Sequence, residues 1–382
     1  MASEMRIKLV GMLVALLALA ASASASAAPG DLDPSFGGGD GMVTTDFGGD
    51  DPARAAAVQA NGKIIVAGGN GDFALARYNQ DGSLDTGFGG DGTVTTDSGG
   101  NDSADAVVVQ PNGKVVAAGT SSSSFALARY NQDGSLDTGF GGGDGLVTTA
   151  FPGSEGDEGN ELLLQPNRKL VVVGTTHIPP NGRGSFALAR YNADGTPDAG
   201  FGGGDGLATG IDGSQATSAS LAPNGQIVVA GGWEDFRVAR FNSDGSVDTG
   251  FDGTGALFPD YQGTARLAYA VQVQKDGRIV AAGYVSDEVT SQTDFAVARF
   301  GTDGSLDASF GGDGMVTTDF SGGGDYARAI ALQPDGGIVV AGRTESPESD
   351  FAVARYEGHG SPPPPTAGPA TPASDGSPKN PA

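Results

Sequence analysis

One sixteen-residue string, FALARYNQDGSLDTGF, fills residues 73–88 and again, letter for letter, residues 125–140. Looser copies start at Phe186, Phe236, Phe295 and Phe351, so the unit occurs six times at intervals of 50–61 residues. A unit of this kind cannot bury its apolar face alone, and the chain must stack copies of one supersecondary element. Each unit holds four short runs, labelled a to d. In the first, residues 53–59 (ARAAAVQ) lead through Asn61-Gly62 to 63–68 (KIIVAG), then to 73–78 (FALARY) and 93–96 (TVTT). Asn-Gly signals a hairpin because both residues tolerate positive φ. Run c alternates, placing Phe73, Leu75 and Arg77 on one face and Ala74, Ala76 and Tyr78 on the other. Equivalent turns stand at Asn112-Gly113, Asn224-Gly225, Asp276-Gly277 and Asp335-Gly336. The third unit has Asn167-Arg168 instead, which predicts a strained turn.

The ends of the repeat are out of phase. The chain opens with a lone run d at residues 42–47 (MVTTDF) and closes with a run c at 351–356 that no run d follows. A ring uses the first fragment to complete the last unit, whereas an open stack leaves both edges bare. The expected fold is therefore all-β, a six-bladed β-propeller of four-stranded blades closed by its N-terminal strand. A parallel β-helix is the alternative, but fifty to sixty residues is long for one rung.

Residues 1–27 read as a signal peptide, with Arg6 and Lys8 before an apolar run and small residues at Ala25-Ser26-Ala27. Residues 28–357 form the propeller, and 358–382, rich in proline and glycine, read as a disordered tail. The apolar run is short for a membrane span, so a secreted or envelope-associated protein without membrane insertion after cleavage is expected. A net charge of −25 opposes nucleic-acid binding. With no cysteine and two histidines, thiolate chemistry and multi-histidine metal sites are excluded.

The string FALARYNQDGSLDTGFGGDGTVTTD followed by PNGKVVAAG resembles the delta-60 repeat of exported bacterial proteins. The resemblance spans about residues 31–357 and implies a propeller-like fold outside the cytoplasm, with no activity attached. SLDTGF at 83–88 also resembles the Asp-box turn of sialidase-like propellers, although the aromatic residue falls early and is Phe. In that family the box is structural.

Arg77, Arg129, Arg190, Arg240, Arg299 and Arg355 occupy one repeat position, and Asp33, Asp85, Asp137, Asp198, Asp248 and Asp307 another. A residue present in every blade serves architecture, and bidentate Arg–Asp pairs pinning the c–d connection are expected. The phenylalanines from Phe88 to Phe310 are expected to anchor the same connection. The Asn-x-Asp-Gly-x-x-Asp runs read as turns stabilised by Asn and Asp side chains.

Variation concentrates in the b–c and d–a connections, which share one end of a blade, so any site belongs there. Trp233, Tyr261, Tyr284 and Arg343 are the candidate ligand-binding residues. Asp72, Asp235, Asp294 and Asp350 precede run c and predict a broken acidic ring, a place for Ca²⁺ if any cofactor is used. No catalytic residues stand out: a G-x-S-x-G elbow is absent, and nothing selects one carboxylate pair. The expected function is binding or scaffolding by a monomer, with an extracellular carbohydrate or protein as partner. A carbohydrate-active hydrolase or lyase on the same face is the alternative, and a Ca²⁺-stabilised envelope protein a further one.

Overall fold

The computed structural model describes residues 32–358, apart from 49–51, 70, 180–183, 234, 260–265, 287–291, 321–322 and 346–348. The expected leader and nearly all of the expected tail lie outside the described residues, as does Tyr261. Among the described residues there is no helix, and so none long and apolar enough to cross a membrane.

Every described strand belongs to one repeated hairpin pattern. Blade 1 comprises β1 (Ala53–Val58), β2 (Ile64–Gly68), β3 (Phe73–Tyr78) and β4 (Thr93–Thr96). Blade 2 holds β5 (Asp102–Val109), β6 (Val115–Ser121), β7 (Ser124–Tyr130) and β8 (Leu146–Thr149). Blade 3 holds β9 (Asp157–Leu164), β10 (Leu170–Thr176), β11 (Ser185–Tyr191) and β12 (Leu207–Asp212). Blade 4 follows with β13 (Gln215–Leu221), β14 (Ile227–Gly232), β15 (Arg237–Phe241) and β16 (Ala256–Leu257). Blade 5 has β17 (Arg266–Val273), β18 (Ile279–Ser286), β19 (Thr293–Phe300) and β20 (Met315–Thr318). The sixth repeat supplies three strands, β21 (Gly324–Leu332), β22 (Ile338–Glu345) and β23 (Ser349–Tyr356), joined to β19 by one parallel bridge, Thr293 to Gly324. First strands of successive blades lie side by side, which makes β1, β5, β9, β13, β17 and β21 the inner strands of a β-propeller.

The alternation of run c sets how blades stack. Phe73, Leu75 and Phe88 on one blade pack against Ala126, Ala128 and Tyr130 on the next. The same exchange joins Phe125 and Leu127 to Ala187, Ala189 and Tyr191, and Phe295 and Val297 to Ala352. Large side chains thus meet alanines, and each fully buried Phe adds roughly 1.5–3 kcal/mol. Where run c ends in tyrosine, its hydroxyl bonds the preceding d run, as in Tyr130 to Thr96 (2.9 Å) and Tyr191 to Thr149 (2.7 Å); blades 4 and 5 have Phe241 and Phe300 there.

The Asn-Gly turns differ from the expected hairpin type. Gly62 and Gly113 have φ of 79° each, but among the described residues Asn61 and Asn112 do not take positive φ. The turns instead close through Gly62 N to Gln59 O (2.8 Å) and Gln59 N to Lys63 O (2.8 Å), so only the glycine enters the left-handed region. Arg168 takes that place in blade 3 at φ 67°, a costly conformation for a residue with a Cβ.

Five repeated arginines are held in a common way. Nε of Arg77, Arg129, Arg190, Arg240 and Arg299 lies 2.5–2.9 Å from Oδ2 of Asp85, Asp137, Asp198, Asp248 and Asp307. The contact is not the bidentate fork expected, because Nη1 is committed elsewhere. It donates to the carbonyl of Gln132, Ala193, Ser243, Thr302 or Gly358, in four cases on the next blade's c–d turn. The guanidinium planes also sit 4.4–4.8 Å over Phe88, Phe140, Phe201, Phe251 and Phe310. Lys63, Lys114 and Lys169 reach the same carboxylates at 2.5–2.6 Å. Burial pushes the Asp85 and Asp137 carboxyls up, but hydrogen bonds from Lys63 or Lys114, a backbone N–H and the arginine outweigh it and hold both below the usual range.

The sixth pair is not formed. Asp33 accepts from Ser35 N (2.9 Å) and Oγ (2.7 Å), while Arg355 turns to Asp335 (3.0 Å) and Glu357 (3.2 Å). Residues 42–47 touch blade 1 through Thr45 and Tyr78 but are not a strand, and no pairing joins them to β23 among the described residues. Phe351 is 99% exposed, whereas its five counterparts, Phe73 to Phe295, are at most 1% exposed.

Candidate functional site

Two ends of each blade differ in character. Gln80 Nε2 donates to Asn61 O (2.8 Å) and Gln132 Nε2 to Asn112 O (2.9 Å), so a–b and c–d turns share a monotonous end. At the other end Gly71 and Asp102 exchange backbone bonds of 2.8–3.0 Å, and Asp157 N donates to Ser123 O (2.9 Å). The b–c and d–a connections therefore lie together, and they carry the sequence variation.

Each inner strand has a β-bulge at one position. The register slips at Arg54, Asp105, Asn160, Thr217, Tyr269 and Arg328, five residue types at one place in an otherwise repetitive frame. A bulge re-aims the side chain it carries. The facing residue on the second strand is glycine in every blade. A Cβ on Gly68, Gly119, Gly174, Gly231, Gly283 or Gly342 would sit 1.8–2.0 Å from a carbonyl of the bulged strand. The repeated glycine of run b is thus the clearance for the bulge.

Three bulge residues reach the following inner strand and one the preceding. Arg54 approaches Asp105 (3.4 Å), Asn160 donates to Ala216 O (2.7 Å) and Thr217 to Ala268 O (2.6 Å), whereas Arg328 stacks back, 3.8 Å over Tyr269. Burial pushes the Asp105 carboxyl up, a Ser103 hydrogen bond and Arg54 pull it down, and Glu158 pushes it up again. One residue away from the bulge of β9, burial drives Glu161 up to about 7, offset only in part by the N–H groups of Leu162 and Ala219.

Blades 5 and 6 gather the aromatic and cationic members. Tyr284 lies 5.9 Å from Tyr269 and 5.2 Å from Tyr326, ring to ring. Arg328 covers Tyr269, and Arg343 sits 4.8 Å over Tyr326 while pairing with Glu345 at 2.6 Å. The tyrosines are half-buried and both arginines exposed, so the cluster offers ring faces edged by charged hydrogen-bonding groups.

The structure thus brings Tyr284 and Arg343 together through Tyr326. Trp233 stands apart on blade 4, 53% exposed and without a ring contact among the described residues. Tyr269, Tyr326 and Arg328 were not singled out from sequence; the signal for them was variation at a fixed place in run a. The acidic residues before run c do not assemble into one ring. Asp235 pairs with Arg237, Asp350 is exposed on the edge strand β23, and Asp72 and Asp294 join carboxylates of their own neighbourhoods.

A family model described as a β-propeller domain of unknown function, DUF5122, matches residues 59–88, 110–140, 165–201, 222–251, 274–310 and 333–362. No curated protein matches in sequence. Similar solved structures include virginiamycin B lyase from Staphylococcus aureus, at 11% identity, covering 80% of this chain and 83% of that one with a TM-score of 0.47. A gluconolactonase from Xanthomonas campestris is 13% identical over 80% and 86% of the two chains, with a TM-score of 0.41. The PQQ-bound aldose sugar dehydrogenase from Streptomyces coelicolor is 12% identical over 80% and 94%, at 0.47.

Proposed function

This chain belongs to the DUF5122 β-propeller family, and from that premise we propose that it is an exported, non-enzymatic binding or scaffold protein that takes a carbohydrate chain on blades 5 and 6. The Tyr269–Tyr284–Tyr326 cluster with Arg328 and Arg343 carries this reading. Ring faces take the apolar face of a sugar, and a guanidinium–carboxylate edge exchanges hydrogen bonds with its hydroxyls. A neutral or weakly charged glycan also meets no long-range repulsion from a chain of net charge −25.

Titration of the full chain with a panel of soluble polysaccharides tests this. Tyr326→Ala and Arg328→Ala are each expected to weaken binding at least about tenfold, equivalent to 1.4 kcal/mol, while Trp233→Ala leaves it unchanged. Equal binding by wild type and both cluster variants would sink the proposal. Binding only to a protein from the envelope would redirect it to protein recognition. A hydrolase or lyase is the second reading, favoured by the raised carboxyls of Asp105 and Glu161 on neighbouring inner strands; sugar cleavage lost in Asp105→Asn would support it.

The same reading includes a closed ring. The sixth blade interface has an unfilled space of about 430 Å³ lined by Ala74, Ala76 and Tyr78 together with residues 42–45. These are the counterparts of residues that elsewhere receive a Phe-x-Leu pair, and the missing occupants are Phe351 and Val353, 99% and 60% exposed. Thr45 already bonds Tyr78 OH at 2.6 Å, as Thr96 does Tyr130. Closure pairs residues 42–45 with β23 in the register Phe73–Thr96 and Ala74–Thr95, placing Thr44 opposite Ala352. Because the chain has no cysteine, Thr44→Cys with Ala352→Cys is expected to cross-link under mild oxidation. Failure of these two to cross-link in folded protein would count against closure.

A further inference from the structure

We infer that the chain binds two Ca²⁺ ions, one in each of two three-carboxylate nests at the junctions of blades 1 and 2 and of blades 5 and 6. The first nest is Asp72, Asp97 and Asp102; the second is Asp294, Asp319 and Asp325. In each, one residue precedes run c, one ends run d and one begins run a of the next blade. The antiparallel ladder brings the first two side by side, since Phe73 pairs with Thr96 and Phe295 with Thr318. The d–a loop then folds the third beneath them.

Within each nest one oxygen from every carboxylate lies within 4.8 Å of the others. Ca²⁺–oxygen bonds of about 2.4 Å let one ion join oxygens up to about 4.8 Å apart, and hard oxygen donors of this kind suit it. Three like charges held so close repel unless a cation lies between them.

The independent sign of a ligand is the state of the innermost residue. Asp102 is 1% exposed and Asp325 fully buried, and in both Oδ1 has no hydrogen-bond partner. Their Oδ2 atoms are engaged by the d–a loop: Ser98 N (2.6 Å) and Oγ (2.8 Å) for Asp102, and Phe320 N (2.7 Å) for Asp325. A buried carboxylate oxygen without a donor is costly, and a metal ion satisfies it. The second nest adds the buried Thr293 hydroxyl, also without a partner, on the residue bridged to Gly324.

The junction of blades 2 and 3 provides an internal comparison. Asp157 holds its loop through Phe151 N (2.8 Å) and Ser154 Oγ (2.9 Å) and likewise leaves Oδ1 unpartnered. At this junction the unpartnered oxygen has no three-carboxylate nest beside it among the described residues, whereas Asp102 and Asp325 each stand with two further carboxylates. Ser124 and Ala150 stand where the other two carboxylates would be, so that junction offers one carboxylate and is not assigned an ion.

Equilibrium dialysis of the EDTA-stripped full chain against ⁴⁵Ca²⁺ tests the assignment. Wild type is expected to take up two ions with dissociation constants of about 10⁻⁴–10⁻³ M, the range of extracellular modules. Asp97→Asn and Asp319→Asn should each remove one ion, and the double variant both. Both residues are exposed and outside the Oδ2 loop contacts, and asparagine keeps the Asp97 Oδ1 acceptor for Gly99 N (2.7 Å), so the fold is expected to survive. Absence of saturable uptake by wild type at about 10 mM Ca²⁺, roughly tenfold above the weakest expected constant, would overturn the proposal. So would unchanged uptake by a double variant with wild-type circular dichroism. Displacement by equimolar Mg²⁺ would overturn the choice of Ca²⁺.

Discussion

Arg129→Ala is expected to destabilise the folded chain by about 3–5 kcal/mol, because it leaves the carboxylate of a buried ion pair without its main partner. Arg129 and Asp137 are 7% and 6% exposed and meet at 2.6 Å. The loss extends beyond the pair. Arg129 also donates to Ala193 O on the next blade and Gly139 O within its own c–d connection, and covers the Phe140 ring at 4.5 Å. The melting temperature should fall on the order of 10 °C. Asp137→Ala and the double variant complete a cycle, in which the coupling energy is expected to be favourable and at least about 1 kcal/mol. Lys114, left alone on Asp137 at 2.5 Å, keeps part of the charge balance and sets the upper limit of the effect. An unchanged melting temperature for Arg129→Ala would contradict this account of how blades are tied.

Stability is expected to peak near pH 4.5–5 and decline on both sides, with Glu161→Gln removing much of the decline toward neutral pH. Glu161 is an acid whose folded pKa, about 7, lies above its ordinary 4.5. Between those values the native state keeps a proton that the unfolded chain has released, so stability falls as pH rises through the window and levels off above it. At 1.36 kcal/mol per unit, and allowing for partial exposure, the loss is about 2 kcal/mol. The repeated aspartates act in the other direction. Asp85, Asp137, Asp198, Asp248 and Asp307 have folded pKa values below the ordinary 3.8, so their contribution is complete above it and is lost as pH falls through the depressed values. Thermal melts from about pH 2 to about pH 8 check both limbs. A Glu161→Gln variant no more stable than wild type at pH 8 would remove the carboxylate as the cause of the neutral limb.

The repeat determined much of this protein before any coordinates. A sixteen-residue unit recurring six times specifies one blade made six times, and period-two alternation in FALARY decides which side chains enter the interfaces. Strand existence, hairpin positions and the shared end of the b–c and d–a connections follow from local pattern and turn chemistry alone. The pairing of equivalent arginines and aspartates was suggested by their recurrence, but that recurrence does not say which nitrogen meets which oxygen. Tertiary structure committed Nη1 to the next blade and left Nε for the carboxylate.

The candidate sites divide in the same way. Trp233 was conspicuous as a single residue, yet rarity says nothing of location, and it stands alone on blade 4. Tyr269, Tyr326 and Arg328 are far apart or inconspicuous in sequence and meet because bulges on neighbouring inner strands turn side chains toward one another. Asp72 is 25 residues from Asp97 and 30 from Asp102, and only the ladder between runs c and d and the fold of the d–a loop bring them within 4.8 Å. Sequence fixes what repeats locally because each strand and turn is decided by its own residues. Sites lie between blades, and the distances across those junctions are decided by packing.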